Sequence, residues 1–176
     1  MTTCLNSAAA LRKLSSEELA KLGDDSLREH LLAQATVAHQ KYAPFTTASL
    51  DAYLKDPACL RYPVRLVFEF GDMAMHQFAQ PAPDFRSSEP DARVLYLRPM
   101  LREHPELVML AVAFMVPVIN YGDVVSDEHC LGYGATLLGL LQEEFYEKLC
   151  ALADFVGTEV RYSNQQSDSQ RHSAEN

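Results

Sequence analysis

The chain is short of cysteine pairs, of positive charge and of every short motif that names a reaction. Its four cysteines, Cys4, Cys59, Cys130 and Cys150, lie far apart with no CxxC pair. That argues against a zinc cluster or a disulfide framework, and 176 residues are too many to need such staples. Reduced thiols in a cytoplasmic protein are the expectation. Lys and Arg number 15 against 24 Asp and Glu, a formal charge of -9. Phosphate-backbone binding draws its affinity from clustered basic residues, so nucleic acid is not an expected partner. There is no phosphate loop of the GxxxxGKS or GxxxxGKT type, no HExxH, no GxSxG elbow and no EF-hand loop. Gly132 and Gly134 begin like a dinucleotide loop, but Leu137 stands at the third glycine position and no strand precedes them.

Long hydrophobic runs are also missing. The longest, Leu107 to Ile119, has thirteen residues including Pro117, against about twenty for a membrane span. The N-terminus MTTCLNSAAALRKLSSEEL lacks the basic start and apolar run of a secretory signal. Neither membrane nor export is expected.

What the chain does contain is enough apolar residue, 48%, for one well-buried core. The reading is a single globular domain over 1–162 and a polar, disordered tail over 163–176. The run Leu107–Ile119 has no polar face, so it predicts a helix covered all round, with a kink or stop near Val116 imposed by Pro117. A second helix, capped by Ser126, is predicted over 127–156. Its stripe is Cys130, Leu137, Leu138, Leu141, Phe145, Leu149, Leu152, Phe155 and Val156. Gly132, Ala135 and Gly139 would let another backbone approach it closely.

Nearer the N-terminus, Ser15 and Glu18 form a capping box for a short helix closed by Gly23. Ser26 and Glu29 open another, with Leu27, Leu31, Ala35, Ala38 and Tyr42 on its inner face. A short helix follows over 48–55. In VRLVFEF the period becomes two, which suits a strand. Gly71-Asp72 then predicts a tight turn and MAMHQFA a return strand, the rival being a helix through FEFGDMAMHQFA. QPAPDFRSSEPDA reads as a loop or lid, and RVLYLRP as a third strand. The fold class is therefore α+β: N-terminal amphipathic helices, a small antiparallel sheet of two to three strands, and a C-terminal packed helix pair.

Two pairs of residues carry whatever chemistry there is. His129 and Cys130 fall in the first turn of a helix, where the dipole favours a thiolate and a neutral imidazole, and they are the candidate catalytic pair. Asp127 and Glu128 oppose the thiolate. The alternative makes Cys130 a core residue and His129 an exposed helix-start residue. Across the predicted hairpin, Glu69 and His76 are diagonal neighbours. Together, Glu69, His76, His129 and Cys130 form a candidate site for a divalent transition metal such as zinc. Glu143, Glu144 and Glu147 read as a solvated face.

Two functions follow. The leading one is a non-enzymatic module that binds a protein partner, or itself, through its acidic surface and the open face of its sheet. The other is a small metal-binding protein or enzyme built on those four side chains.

Overall fold

The computed structural model describes residues 14–173, with side chains as far as residue 158. At Ser15 the hydroxyl accepts from the Glu18 N–H while the Glu18 carboxylate accepts from the Ser15 N–H, and α1 (Ser16–Tyr42) starts there. The helix does not stop at Gly23, contrary to expectation. An interior glycine costs only about 1 kcal/mol, and the helix continues through Ser26, so the second box is not a start. Leu31, Ala35 and Ala38 are buried on its inner face, as their spacing predicts. Pro44 follows its end, and α2 (Thr47–Leu54) is capped by reciprocal bonds between Thr46 and Ser49.

Three strands follow: β1 (Val64–Phe68), β2 (Ala79–Pro83) and β3 (Arg93–Leu97), in the order β1-β3-β2. β1 runs parallel to β3, and β2 antiparallel to it. The sheet is thus mixed, and the predicted hairpin through MAMHQFA does not form. Residues 69–78 instead cross the end of β3. Buried Arg98 donates from Nε to the Gln77 carbonyl at 2.8 Å and from Nη2 to that of Ala74 at 2.6 Å. Those charge-assisted bonds hold the crossing in turns rather than a strand.

The strand that pairs with β3 is AQPAP, whose last four residues open the segment expected to be a loop. Asp84 donates to the Ala92 carbonyl and Arg98 to that of Phe78, so even-numbered positions of β2 turn their backbone groups inward. Pro81 and Pro83 occupy outward positions, where a missing N–H breaks no ladder bond.

The apolar run lies in α3 (Pro105–Tyr121), in which no residue from Leu107 to Tyr121 is exposed. The stretch Pro105–Val124 is long and apolar enough, by length and composition, to cross a membrane. In this fold half of that stretch is buried, and α3 is the core helix. Buried Pro117 does not end it: the backbone remains helical to Tyr121. Packing on every side offsets one lost hydrogen bond.

Beyond a short turn come α4 (Asp127–Leu138) and α5 (Gln142–Ser173), where a single helix was expected. Gly139 separates them, at φ +68, donating to the Ala135 and Thr136 carbonyls as a left-handed cap. Leu141, on the predicted stripe, consequently sits in the break and is 76% exposed. Phe145, Leu149, Leu152 and Val156 are buried as predicted. The backbone is helical to Ser173, while the side chains of the polar tail lie outside the described residues, as does Cys4. Among the described residues the architecture is α+β, five α-helices with one small mixed sheet.

Close approach of α3, α4 and α5 depends on Gly134. A Cβ there would overlap the buried Phe145 ring and lie 3.3 Å from the Ala113 carbonyl carbon, whereas at Gly132 it would make ordinary contacts with the side chains of Leu32 at 3.6 Å and Gln142 at 3.9 Å. Gly134→Ala is expected to destabilise by about 1–3 kcal/mol through overpacking. Gly132→Ala should be neutral or stabilising by up to about 1 kcal/mol through helix propensity. Urea unfolding of the two variants checks the contrast, and equal effects would contradict the packing described.

Candidate functional site

His129 is occupied as a brace. Ser126 N–H donates to its Nδ1 at 3.1 Å while its own N–H donates to Ser126 Oγ at 3.3 Å, so the imidazole takes the place of the usual glutamate in a capping box. With Nδ1 accepting, the ring proton sits on Nε2, 3.4 Å from both the Asp24 carbonyl and its carboxylate. The side chain is buried, not exposed at a helix start, and ties α4 to α1. Cys130 lies in the core, and burial, with Asp127 adding to it, pushes its thiol up to about 12. Desolvation outweighs the helix dipole, so this sulfur is no thiolate at neutral pH.

Glu69 and His76 are both exposed in the crossing after β1, not paired on a hairpin. The four proposed metal ligands are thus divided between the sheet end and the start of α4. Among the described residues no three His, Cys, Asp or Glu side chains gather in a way that could hold a metal ion. Glu143, Glu144 and Glu147 are exposed.

What the fold does assemble is a groove between α2, β1 and the start of α3. Its α2 wall is fixed from behind. Asp56 accepts from Lys41 Nζ at 2.7 Å, Tyr42 Oη at 2.6 Å and the Ala58 N–H at 2.9 Å. The Lys41 ammonium first, then the Tyr42 hydroxyl and the Ala58 amide, hold its carboxyl well below the usual carboxylate range. Fully buried Tyr53 reaches from α2 to α4, its hydroxyl 2.7 Å from that of Tyr133, and Tyr42 and Phe45 pack edge-on against its ring. Burial pushes both phenols up, so each hydroxyl stays protonated and satisfies the other.

The groove encloses about 590 Å³. Leu50 and Leu54 line one side, Val64, Leu66 and Phe68 the other, and Val108 and Met109 the floor. Three cations sit at its rim. Lys55 pairs with Asp51 at 2.7 Å and Arg65 forks onto Asp84 at 3.0 Å. Arg102 lies 5.3 Å over the Phe68 ring and has no carboxylate partner among the described residues. A wider cleft of about 690 Å³, lined in part by His39, Phe45 and Leu107, shares Met109 with the groove but is more open.

The backbone of β1 completes the site. Arg93 donates to the Pro63 carbonyl at 2.8 Å, so in this parallel pair the odd-numbered residues of β1 turn their peptide groups toward β3. The even-numbered ones turn outward. Among the described residues, nothing pairs with the N–H groups of Leu66 and Phe68 or the carbonyls of Val64 and Leu66. The vacancy in the sheet is therefore at its edge. Its second face, expected to be open, is covered where Val94 is buried and Gly71 packs on the Tyr96 ring.

Sequence reasoning found the alternation of Val64, Leu66 and Phe68 but not the groove. Edge position depends on the crossing over β3, which no local pattern announces. Comparison with protein-family models, with curated proteins and with solved structures finds no match.

The Asp56 network generates a pH prediction. Because its carboxyl is held low in the fold, its contribution is complete above the ordinary carboxylate pKa of about 3.9 and is lost as pH falls toward the folded value. Stability of the native protein should therefore drop more steeply below about pH 4 than that of Asp56→Asn. Urea midpoints measured across that acid limb decide it, and parallel profiles would contradict the assignment.

Proposed function

We propose that the protein is a non-enzymatic binding module that accepts an extended segment of a partner protein as a further strand against β1. The supporting observation is the coincidence of an unpaired strand edge with an enclosed apolar groove. Main-chain bonds to Leu66 and Phe68 would supply affinity, and the groove would take every second side chain of the incoming strand. Arg102 favours a segment carrying an acidic side chain, because among the described residues no carboxylate pairs with its guanidinium. A bare edge beside apolar side chains is a hazard that folds otherwise block, so its retention here supports use. A reducing compartment such as the cytosol is part of the proposal, since Cys59 and Cys130 are buried free thiols.

No pair of side chains in the groove has nucleophile-and-base geometry, and the four residues considered for metal chemistry do not converge. A second copy of the chain is the competing occupant of the edge.

A displayed library of random linear peptides, selected on the full chain, tests this. Selected peptides should alternate apolar residues with an acid. Their affinity should fall at least about tenfold for Leu66→Lys, a change worth about 1.4 kcal/mol. Arg102→Glu should turn the preference from acidic to basic peptides. Binders indifferent to both substitutions would overturn the proposal. A native dimer abolished by Leu66→Lys would assign the edge to a second copy instead.

A further inference from the structure

A further cleft, of about 570 Å³, lies at the end of the sheet where β1 and β3 begin and β2 ends, against the end of α3. Arg61 and Arg93 both line it and share one aromatic ring: their guanidinium carbons lie 5.9 and 4.5 Å from the centre of Tyr62. Arg61 is also 5.5 Å from the Tyr121 ring. In a chain of net charge -9, neither arginine has a carboxylate within ion-pair distance among the described residues. Arg28 and Arg65, by contrast, are paired with acids. The protein contacts of the two are carbonyls: Arg61 Nη1 donates to Asn120 at 3.4 Å, and Arg93 Nη1 to Asp91 at 3.1 Å and Ala92 at 3.5 Å. Each fork therefore retains N–H groups for an outside acceptor.

The cleft is held by the interior, not by surface side chains. Buried Asn120 accepts the Arg61 backbone N–H at 2.9 Å and donates to the Cys59 carbonyl at 3.2 Å. The Arg93 N–H meets the Pro63 carbonyl at 2.8 Å, which fixes its register beside Tyr62. The Tyr62 ring restricts the Arg93 guanidinium, 4.5 Å from its centre, and together with Tyr121 borders that of Arg61, so less freedom is lost when they grip a ligand. The exposed acid on the lining, Asp123, leaves the two arginines one charge in excess.

We propose that this cleft binds a small organic anion. Its carboxylate or phosphate is held by Arg61 and Arg93, and its apolar or aromatic body rests on Tyr62 and the proline edge of β2. The chemistry required is a planar or tetrahedral oxyanion that accepts paired N–H donors, and both sources supply it. The site is independent of the groove at β1.

Titration of the full chain with benzoate and with phenyl phosphate, followed by the amide and arginine side-chain NMR signals, tests the assignment. At least one probe should saturate, with shifts concentrated at residues 61–62, 93 and 120–123, and the tighter probe identifies the oxyanion. Arg93→Gln and Arg61→Gln should each weaken that probe about tenfold or more, while Asp123→Asn should tighten it. The Asp123 response distinguishes a charged cleft from misfolding in the arginine variants. Shifts that never saturate, that spread over all basic residues, or that are unchanged in all three variants would overturn the proposal.

Discussion

A helix without a polar face must be surrounded, and α3 imposes that condition on the rest of the chain. The sheet covers one side, with Phe78 against Phe114, and α4 and α5 cover others. Where α4 has to come closest, Gly134 removes the side chain that would hold it off. Leu95 and Leu97 of β3 are fully buried in the same core, so the central strand of a three-stranded sheet is covered as thoroughly as one in a larger protein. Cover is thinnest at the start of α3. Pro105 and Glu106 are exposed, Leu107 and Met109 half-buried, and the groove opens there.

The two edges of the sheet are treated differently. β2 is blunted by proline at its outward positions, so no donor is presented at 81 or 83. β1 keeps its outward donors and acceptors and sets them beside apolar side chains and Arg102, which has no carboxylate partner among the described residues. Unprotected strand edges recruit other strands. That asymmetry is what the proposal of a further strand at β1 rests on, and the cleft around Arg61, Tyr62 and Arg93 lies apart from it, at the end of the sheet where β1 and β3 begin.

Much of this fold is legible in local sequence because local physics fixes it. Ser15 with Glu18, and Ser126 ahead of Asp127 and Glu128, announce helix starts by capping chemistry. VRLVF announces a strand by alternation, RVLYL by a short apolar run ended by Pro99, and thirteen apolar residues announce a core helix. The misreadings share a cause. Gly23 and Pro117 look like breaks, yet packing carries both helices through them. Gly139 looks like part of a close-packed helix face, yet its left-handed conformation ends α4. The prolines of AQPAP look like a loop because the rule against proline in strands does not apply at an outward edge position. Glu69 and His76 are neighbours only on a hairpin, and none forms there. With Arg98 holding residues 69–78 across the end of β3, the sheet acquires the order β1-β3-β2, and the hairpin that would have joined Glu69 to His76 is lost. The groove and the anion cleft join residues far apart in the chain, so neither leaves a contiguous pattern.

Whether the edge of β1 is open in solution is read from amide hydrogen exchange across Val64–Phe68. With the protein alone in solution, the Arg65 and Val67 amides face β3 and should be protected, while those of Leu66 and Phe68 face outward and should exchange much faster. Uniform protection of all four would mean that the edge is already paired or covered, and would contradict the account of β1 as a docking strand.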